Sequence, residues 1–323
     1  MALSGAATGG PVVVTGAAGC VGRALVERLR AAGRTVRAVV READDALPGA
    51  LALGALESAT PETLAGALAG ASAVVHLAAR VHATPLRAAE DERAFRAANV
   101  DATAALARAA VAAGVGRFVF ASSAKVNGDA TRPGRPFGPH DAPAPRDAYG
   151  RSKRDAEALL ADITRGTPTI ALALRIPLVI GPGASGNVAR LVDAIAAGRT
   201  LPFAAVDNRR SVVGLANLCD AIAAALDALP PPGGVHFVAD AVPVSTPGLI
   251  RAIARSLGVS VPLAYAPVPL LKLAGLLLGR REAIDRLTGS LEVDSSSFTA
   301  ATGWRPAHPL DGELARLAAA YER

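Results

Sequence analysis

Apolar positions along the chain fall into two alternating kinds of segment. Short runs rich in β-branched residues are followed by longer Ala-, Leu- and Arg-rich stretches of helical character, the pattern of a parallel sheet wrapped by helices. Val12-Val13-Val14-Thr15 reads as the first strand, and Gly22 to Ala32 as a helix stopped by Gly33. Val36 to Val40 predicts a second strand and Ala50 to Gly54 a weaker third. Ala73 to Leu77 and Arg117 to Ala121 predict stronger ones, separated by a helix from about Arg93 to Ala113, and Thr169 to Arg175 predicts another. No internal repeat is visible. The expected fold is α/β, a doubly wound parallel sheet. After Arg175 the rhythm is broken by Gly181-Pro182-Gly183, by Pro230 to Gly234 and by Val242-Pro243. This predicts a nucleotide-binding core of residues 1–178 plus 212–240. Residues 179–211 plus 241–323 then form a smaller, discontinuous C-terminal substrate lobe over the strand C-termini, where open α/β sheets hold ligands.

Composition narrows the class of protein. Hydrophobic residues make up 51% of 323 and charged residues 19%, which excludes global disorder. Aromatics are only 3%, so the core has to be built from Ala, Val, Leu and Ile. A net charge of +6 raises the question of nucleic acid, but the arginines are scattered and no aromatic stacking set accompanies them. An anionic small substrate or cofactor accounts for the same balance, and no nucleic-acid partner is expected. Cys20, Cys219 and the five histidines show no metal-ligand spacing. Met1 to Gly10 lacks the basic start and apolar run of a leader, so the expected location is cytoplasmic. Val261 to Gly279 is apolar but interrupted by Pro262, Pro267, Pro269 and Lys272. Leu270 to Leu278 is too short to span a bilayer. It reads first as a buried helix or an oligomer face, with peripheral membrane contact as the lesser alternative.

Candidate chemistry comes from two places. Val14 to Gly22 is a Gly-x-x-Gly-x-x-Gly loop, with Gly16, Gly19 and Gly22 between the first strand and first helix. Glycines there supply a tight turn, close approach of backbone to a diphosphate, and close helix–strand packing. The second strand ends Val39-Val40-Arg41, without the acidic residue that usually binds the ribose 2′-OH of NAD. Arg41 suits a 2′-phosphate, so NADP is expected, with NAD as the alternative if Glu42 or a backbone group serves it. Tyr149 and Lys153 lie four residues apart in a chain with three tyrosines and three lysines. On a helix such a pair shares one face, about 5–6 Å apart at Cβ. An ammonium beside a phenol is expected to lower the phenol's pKa and make it a usable proton donor or acceptor.

Taken together, these residues resemble the extended short-chain dehydrogenase/reductase family, in its branch of nucleotide-sugar epimerases, dehydratases and 4-ketoreductases. The resemblance covers essentially the whole chain and implies a Rossmann fold. It runs through Thr15 to Gly22, His76-Leu77-Ala78-Ala79, Asn99-Val100, Ser122-Ser123, Tyr149 to Lys153, Arg175-Ile176-Pro177, Gly181-Pro182-Gly183 and Arg210-Ser211-Val212. The loops 123–128 and 207–211 look like the bacterial branch that handles UDP-N-acetyl-6-deoxyhexosamines for surface polysaccharide.

The resemblance implies roles for particular residues. Tyr149 is the general acid/base, Lys153 lowers its pKa and binds the nicotinamide ribose, and Ser123 holds the reacting sugar oxygen. Cys20 and Val21 offer backbone N–H groups to the diphosphate. Leu56, Leu77, Ala78, Ala79, Asn99 and Pro177 border the cofactor, while Arg210 and Asn187 contact a UDP-sugar. A homodimer through helices around 100–113 and 153–164 is implied too. Several positions depart from the family pattern. Ile176-Pro177-Leu178 lacks the substrate-contacting Asn of galactose epimerases, Asn127 replaces a Tyr, and Ala55 replaces an Asp that often holds adenine. The expected activity is therefore NADPH-dependent reduction of a UDP-4-keto-6-deoxy-N-acetylhexosamine at C4. The alternatives are a UDP-hexose or UDP-N-acetylhexosamine 4-epimerase with bound NAD and, remotely, a non-catalytic dinucleotide sensor.

Overall fold

The computed structural model describes residues 9–81, 88–132, 134–184 and 186–321; most of the amino-terminal stretch scanned for a leader lies outside them. Seven strands form one sheet in which every pairing is parallel. The strands are β1 (Val12–Thr15), β2 (Val36–Val40), β3 (Leu51–Ala52), β4 (Ala73–His76), β5 (Arg117–Ser123), β6 (Ile170–Ile176) and, after a separate pair, β9 (Gly234–Phe237). Their order is β3-β2-β1-β4-β5-β6-β9. The chain winds outward from β1 to β3, then returns to lay β4 on the other side of β1. The strand order therefore reverses between β1 and β4, whose carboxyl ends are the usual ligand position in such sheets. The separate pair is β7 (Leu178–Ile180) with β8 (Val212–Gly214).

Helices cover both faces, and strand alternation divides the core accordingly. Val12 and Val14 pack on one side with Leu25 and Leu29 of α1 (Cys20–Ala31) and Leu218 and Ile222 of α7 (Leu215–Asp227). Val13 and Val74 face the other side. There they meet Leu64 of α2 (Pro61–Leu68), Leu106 of α4 (Ala102–Ala112) and Leu160 of α5 (Ala148–Thr164). A third cluster joins Val192 of α6 (Asn187–Ala196), Ile250 of α8 (Thr246–Ser256) and Leu314 of α12 (Leu310–Tyr321).

Four expectations are corrected by the structure. The first helix starts at Cys20 rather than Gly22, because Gly19 takes an extended conformation and acts as its N-cap. The third strand shrinks to Leu51–Ala52, an exposed edge with no buried face to prolong it. The helix expected over 93–113 begins earlier, as α3 (Ala88–Phe95), and reaches α4 through a π-helical turn, Arg96–Asp101. The apolar stretch near 270 is not a core helix. It forms α9 (Val268–Leu277), of which only Leu271 and Gly275 are buried. That narrow stripe seats α9 on α10 (Arg281–Thr288), where a Cβ on Gly275 would come within 2.7 Å of Ile284. The short α11 (Ser296–Thr302) packs Phe298 edge-on against Trp304. Among the described residues no helix is long and apolar enough to cross a membrane.

Candidate active site

The glycine loop fits a dinucleotide's diphosphate on its own geometry. Gly16 has φ +69°, and a Cβ there would lie 2.6 Å from the Ala78 nitrogen. A Cβ on Gly22 would lie 2.2 Å from the Gly16 carbonyl oxygen. Both positions therefore require glycine for the loop to lie against the exit of β4 and under α1. The amino terminus of α1 has no side-chain cap and no acidic residue in its first turn. The N–H groups of Cys20, Val21 and Gly22, which lack intrahelical partners, are thus left for an anion at the positive end of the helix. Leu77, Ala78 and Ala79 lie half-buried beside this loop, and Pro177 lies between β6 and β7. Leu56 is buried in a short 3₁₀ turn. Arg41 is exposed directly after β2, whose last residue, Val40, is buried. The Cys20 thiol donates to the Pro182 carbonyl at 2.9 Å, which ties the Gly-Pro-Gly turn to the glycine loop.

At the end of β5 the structure brings Ser123, Tyr149 and Lys153 together. Asp147 caps α5, its Oδ1 accepting from the Gly150 N–H at 2.7 Å, while Lys125 pairs with its Oδ2. This fixes Tyr149 in the first turn of the helix. The Ser123 hydroxyl faces the Tyr149 phenol and draws its pKa down, and it accepts the Lys125 N–H at 3.3 Å. Lys153 is 2% exposed; its Nζ donates to the Ala121 carbonyl at 2.8 Å and lies 4.5 Å from the Phe120 ring centre.

The electrostatics correct the expectation of a depressed phenol pKa. Tyr149 is pushed up to about 12, first by burial and then by the Asp147 charge, against the opposing pull of the Ser123 hydroxyl. Lys153 is pushed down to about 7 by burial, with the Glu157 carboxylate partly opposing it. Pairing with the ammonium was expected to govern the phenol, yet low-dielectric surroundings disfavour the charged form of both groups. The ammonium, 6.0 Å from the phenol ring centre, does not offset that cost.

Three buried polar networks hold this set, and sequence reading gave a role to only part of the first. Asn99, in the π-helical turn, accepts from the Arg80 N–H at 2.8 Å and donates to the Arg80 carbonyl and the Ser152 hydroxyl, both at 2.9 Å. Ser152 in turn donates to the Tyr149 carbonyl at 2.8 Å, so Asn99 ties the exit of β4 to the catalytic helix. His76 is fully buried between two hydroxyls. Thr103 gives its proton to the Asn99 carbonyl at 2.5 Å, so it accepts from His76 Nε2–H at 3.0 Å. Nδ1 then accepts from Thr15 at 2.7 Å, and the Thr15 oxygen faces the Ala78 N–H at 3.4 Å. Burial, followed by the Lys153 charge, pulls His76 down to about 3, so the ring is neutral. In the third network Arg175 meets both Glu157 oxygens at 2.7 and 3.1 Å and Asn127 at 2.8 Å, and Ser122 donates to Glu157. Glu157 follows Lys153 by four residues, a spacing that could have pointed to it.

The two expected substrate residues are placed differently. Arg210 is half-buried, and its Nη1 donates to the Arg286 and Gly289 carbonyls at 2.6 and 2.9 Å. Burial and then Arg286 lower its pKa, and no carboxylate lies within ion-pair distance among the described residues. Asp129 opposes that shift only in part, and a half-buried cation hydrogen-bonded by carbonyls is suited to an anionic ligand. Asn187 is exposed at the start of α6, and its side chain makes no hydrogen bond to another described residue.

Comparison with known proteins gives the chain's family. The chain is 36% identical to a UDP-glucose 4-epimerase of Vibrio cholerae, over 96% of this chain and 95% of that one. It is 32% identical to a 4-hydroxy-2-methyl-3-oxo-4-farnesyl-3,4-dihydroquinoline-1-oxide ketoreductase of Stigmatella aurantiaca, over 79% and 75% of the two chains. The structure of MoeE5 in complex with UDP-glucuronic acid and NAD superposes with a TM-score of 0.78 at 27% identity, covering 97% and 99% of the two chains. Residues 12–238 match the model of the NAD dependent epimerase/dehydratase family, and the chain belongs to that family.

Proposed function

We propose that this protein carries out NAD(P)-dependent oxidoreduction at C4 of a nucleotide sugar, and that the reaction is reduction of a UDP-4-keto-6-deoxy-N-acetylhexosamine for surface polysaccharide. The observation that carries the reading is the Ser123–Tyr149–Lys153 set beside the glycine loop, with Ser123 and Lys153 buried and Tyr149 half-buried. The backbone of Gly16 to Gly22 and the residues Leu77 to Ala79 would hold the dinucleotide, with Lys153 and Tyr149 at its ribose. Bound there, the nicotinamide supplies hydride. Tyr149 gives its phenolic proton to the O4 that forms, and Ser123 orients that oxygen. A phenol pushed up to about 12 is protonated at neutral pH, the form that reduction needs at the start. The exposed Arg41 after a buried Val40 supports NADP, and the half-buried Arg210, with no carboxylate at ion-pair distance among the described residues, supports a diphosphate substrate.

The test is NADPH oxidation with the 4-keto sugar nucleotide. Tyr149→Phe should lower turnover by about 10²–10⁴, the range for a lost general acid; a near-normal rate would remove Tyr149 from the mechanism. A second reading, 4-epimerisation with retained NAD, is favoured by the activity of the Vibrio cholerae relative and by the NAD bound in MoeE5. Purified protein carrying stoichiometric NAD and consuming no NADPH would select it.

A further inference from the structure

We propose that α9 is an interfacial anchor that lays the protein on an anionic lipid bilayer. Helices of water-soluble domains turn their polar face outward, whereas the outward face of α9 is as apolar as its inward one. At 3.6 residues per turn, Leu271 and Gly275 mark the inward stripe. Pro269, Leu270, Leu273, Ala274, Leu276 and Leu277 fill an outward arc of roughly 160°, with Lys272 at its border. Leu270 is 59% exposed, Leu273 52%, Leu276 57%, Leu277 77% and the following Leu278 72%. So dense an apolar patch marks an interaction surface.

Charge identifies the occupant. Residues 268–288 carry Lys272, Arg280, Arg281 and Arg286 against Glu282 and Asp285, a net charge of +2; Asp285 pairs with Lys272 and Arg281, and Glu282 with Arg286, each at 3.6 Å. Exposed Arg280, two residues after Leu278, makes no ion pair with a described residue. Leucines beside a basic border match the two components of an anionic membrane surface, hydrocarbon and negative headgroups. A second copy docked by the same face would bring like charges together across the contact. The helix is about 15 Å long at 1.5 Å per residue, a length for lying in the interface and not for crossing it. The far end of this hairpin holds Arg210 through the Arg286 and Gly289 carbonyls. Any use of the docked hairpin for a substrate held at that cation rests on the functional reading above, whereas the docking itself does not.

Flotation of the whole protein with vesicles measures the binding. We expect it to float with vesicles of phosphatidylglycerol and phosphatidylethanolamine in equal parts, and much less with phosphatidylcholine alone or at high salt. Leu273→Glu/Leu277→Glu should lower the partition at least about tenfold, with an unchanged melting temperature and unchanged NADPH oxidation on a soluble substrate. Absence of flotation on both vesicle types would overturn the proposal, as would flotation insensitive to the substitutions. So would a wild-type dimer that the substitutions split while flotation stays the same, which would give the face to a second copy. Vesicle binding is read without turnover, so its failure is separate from failure of the assigned reaction.

Discussion

Lys153 sits between two opposing demands, a carboxylate that favours its charge and a low-dielectric pocket that opposes it. Burial wins, and the group falls to about 7 from an ordinary 10.5. Between those values the unfolded chain binds more protons than the folded one, so stability rises with pH across that window. Below about 7 both states are protonated and the full cost of the buried charge remains. Lys153→Met should therefore raise the melting temperature of the ligand-free protein at about pH 6, and the gain should shrink towards about pH 9.5. A gain that stays constant over that range would mean that Lys153 is not depressed. The range stops short of the region where Tyr149, raised to about 12, acts in the opposite sense by making stability fall as pH rises. Residue types and spacing were legible here: Tyr149 and Lys153 do share a helix face with Ser123 beside them. The direction of the phenol shift was not, because desolvation depends on what the rest of the fold packs around the pair.

At the scale of elements, Asp147 joins helix capping to catalysis. One carboxylate oxygen caps α5 and the other holds Lys125, which follows Ser123 by two residues. Asp147→Ala removes both links and should cost about 1–2 kcal/mol in urea denaturation. It should also lower kcat, because Tyr149 lies in the turn that frays. Asp147→Asn keeps a capping oxygen, so most of the stability should return while the Lys125 ion pair stays broken. If Ala and Asn behave alike, the ion pair rather than the cap positions the helix. Strands were the most readable elements, since β1, β4 and β5 bury both faces and show as unbroken apolar runs. The π-helical turn holding Asn99 left no such trace. An extra residue in a helical turn alters no hydrophobic period over so short a span, and π turns gather at functional sites for reasons of position, not propensity. The leucines of α9 misled for a related reason: an apolar run states that water is avoided, not whether protein or lipid replaces it.

Across the whole molecule, the contacts hardest to foresee are those that join distant segments. Arg210 and Gly289 stood in the sequence as unrelated residues, and only the docking of α10 against the 207–211 loop brings them within hydrogen-bond range. Likewise, Arg175 on β6, Glu157 on α5 and Asn127 after β5 meet because parallel strands present their carboxyl ends together. The cofactor end of the site was more legible, since glycine spacing and the last residues of β2 act locally, and it carries the choice between reduction and epimerisation. If Arg41 binds a 2′-phosphate, NADPH should raise the melting temperature more than NADH at equal concentration. A ligand at a hundred times its Kd adds about 2.7 kcal/mol to stability, an effect easily seen in thermal shifts. Arg41→Ala should then weaken NADPH by roughly tenfold or more, the scale of one charge-assisted contact, and leave NADH nearly unchanged. If NADH stabilises the wild type more strongly and the substitution changes neither nucleotide, the arginine faces solvent. The same site would then hold NAD through a complete turnover, as 4-epimerisation requires.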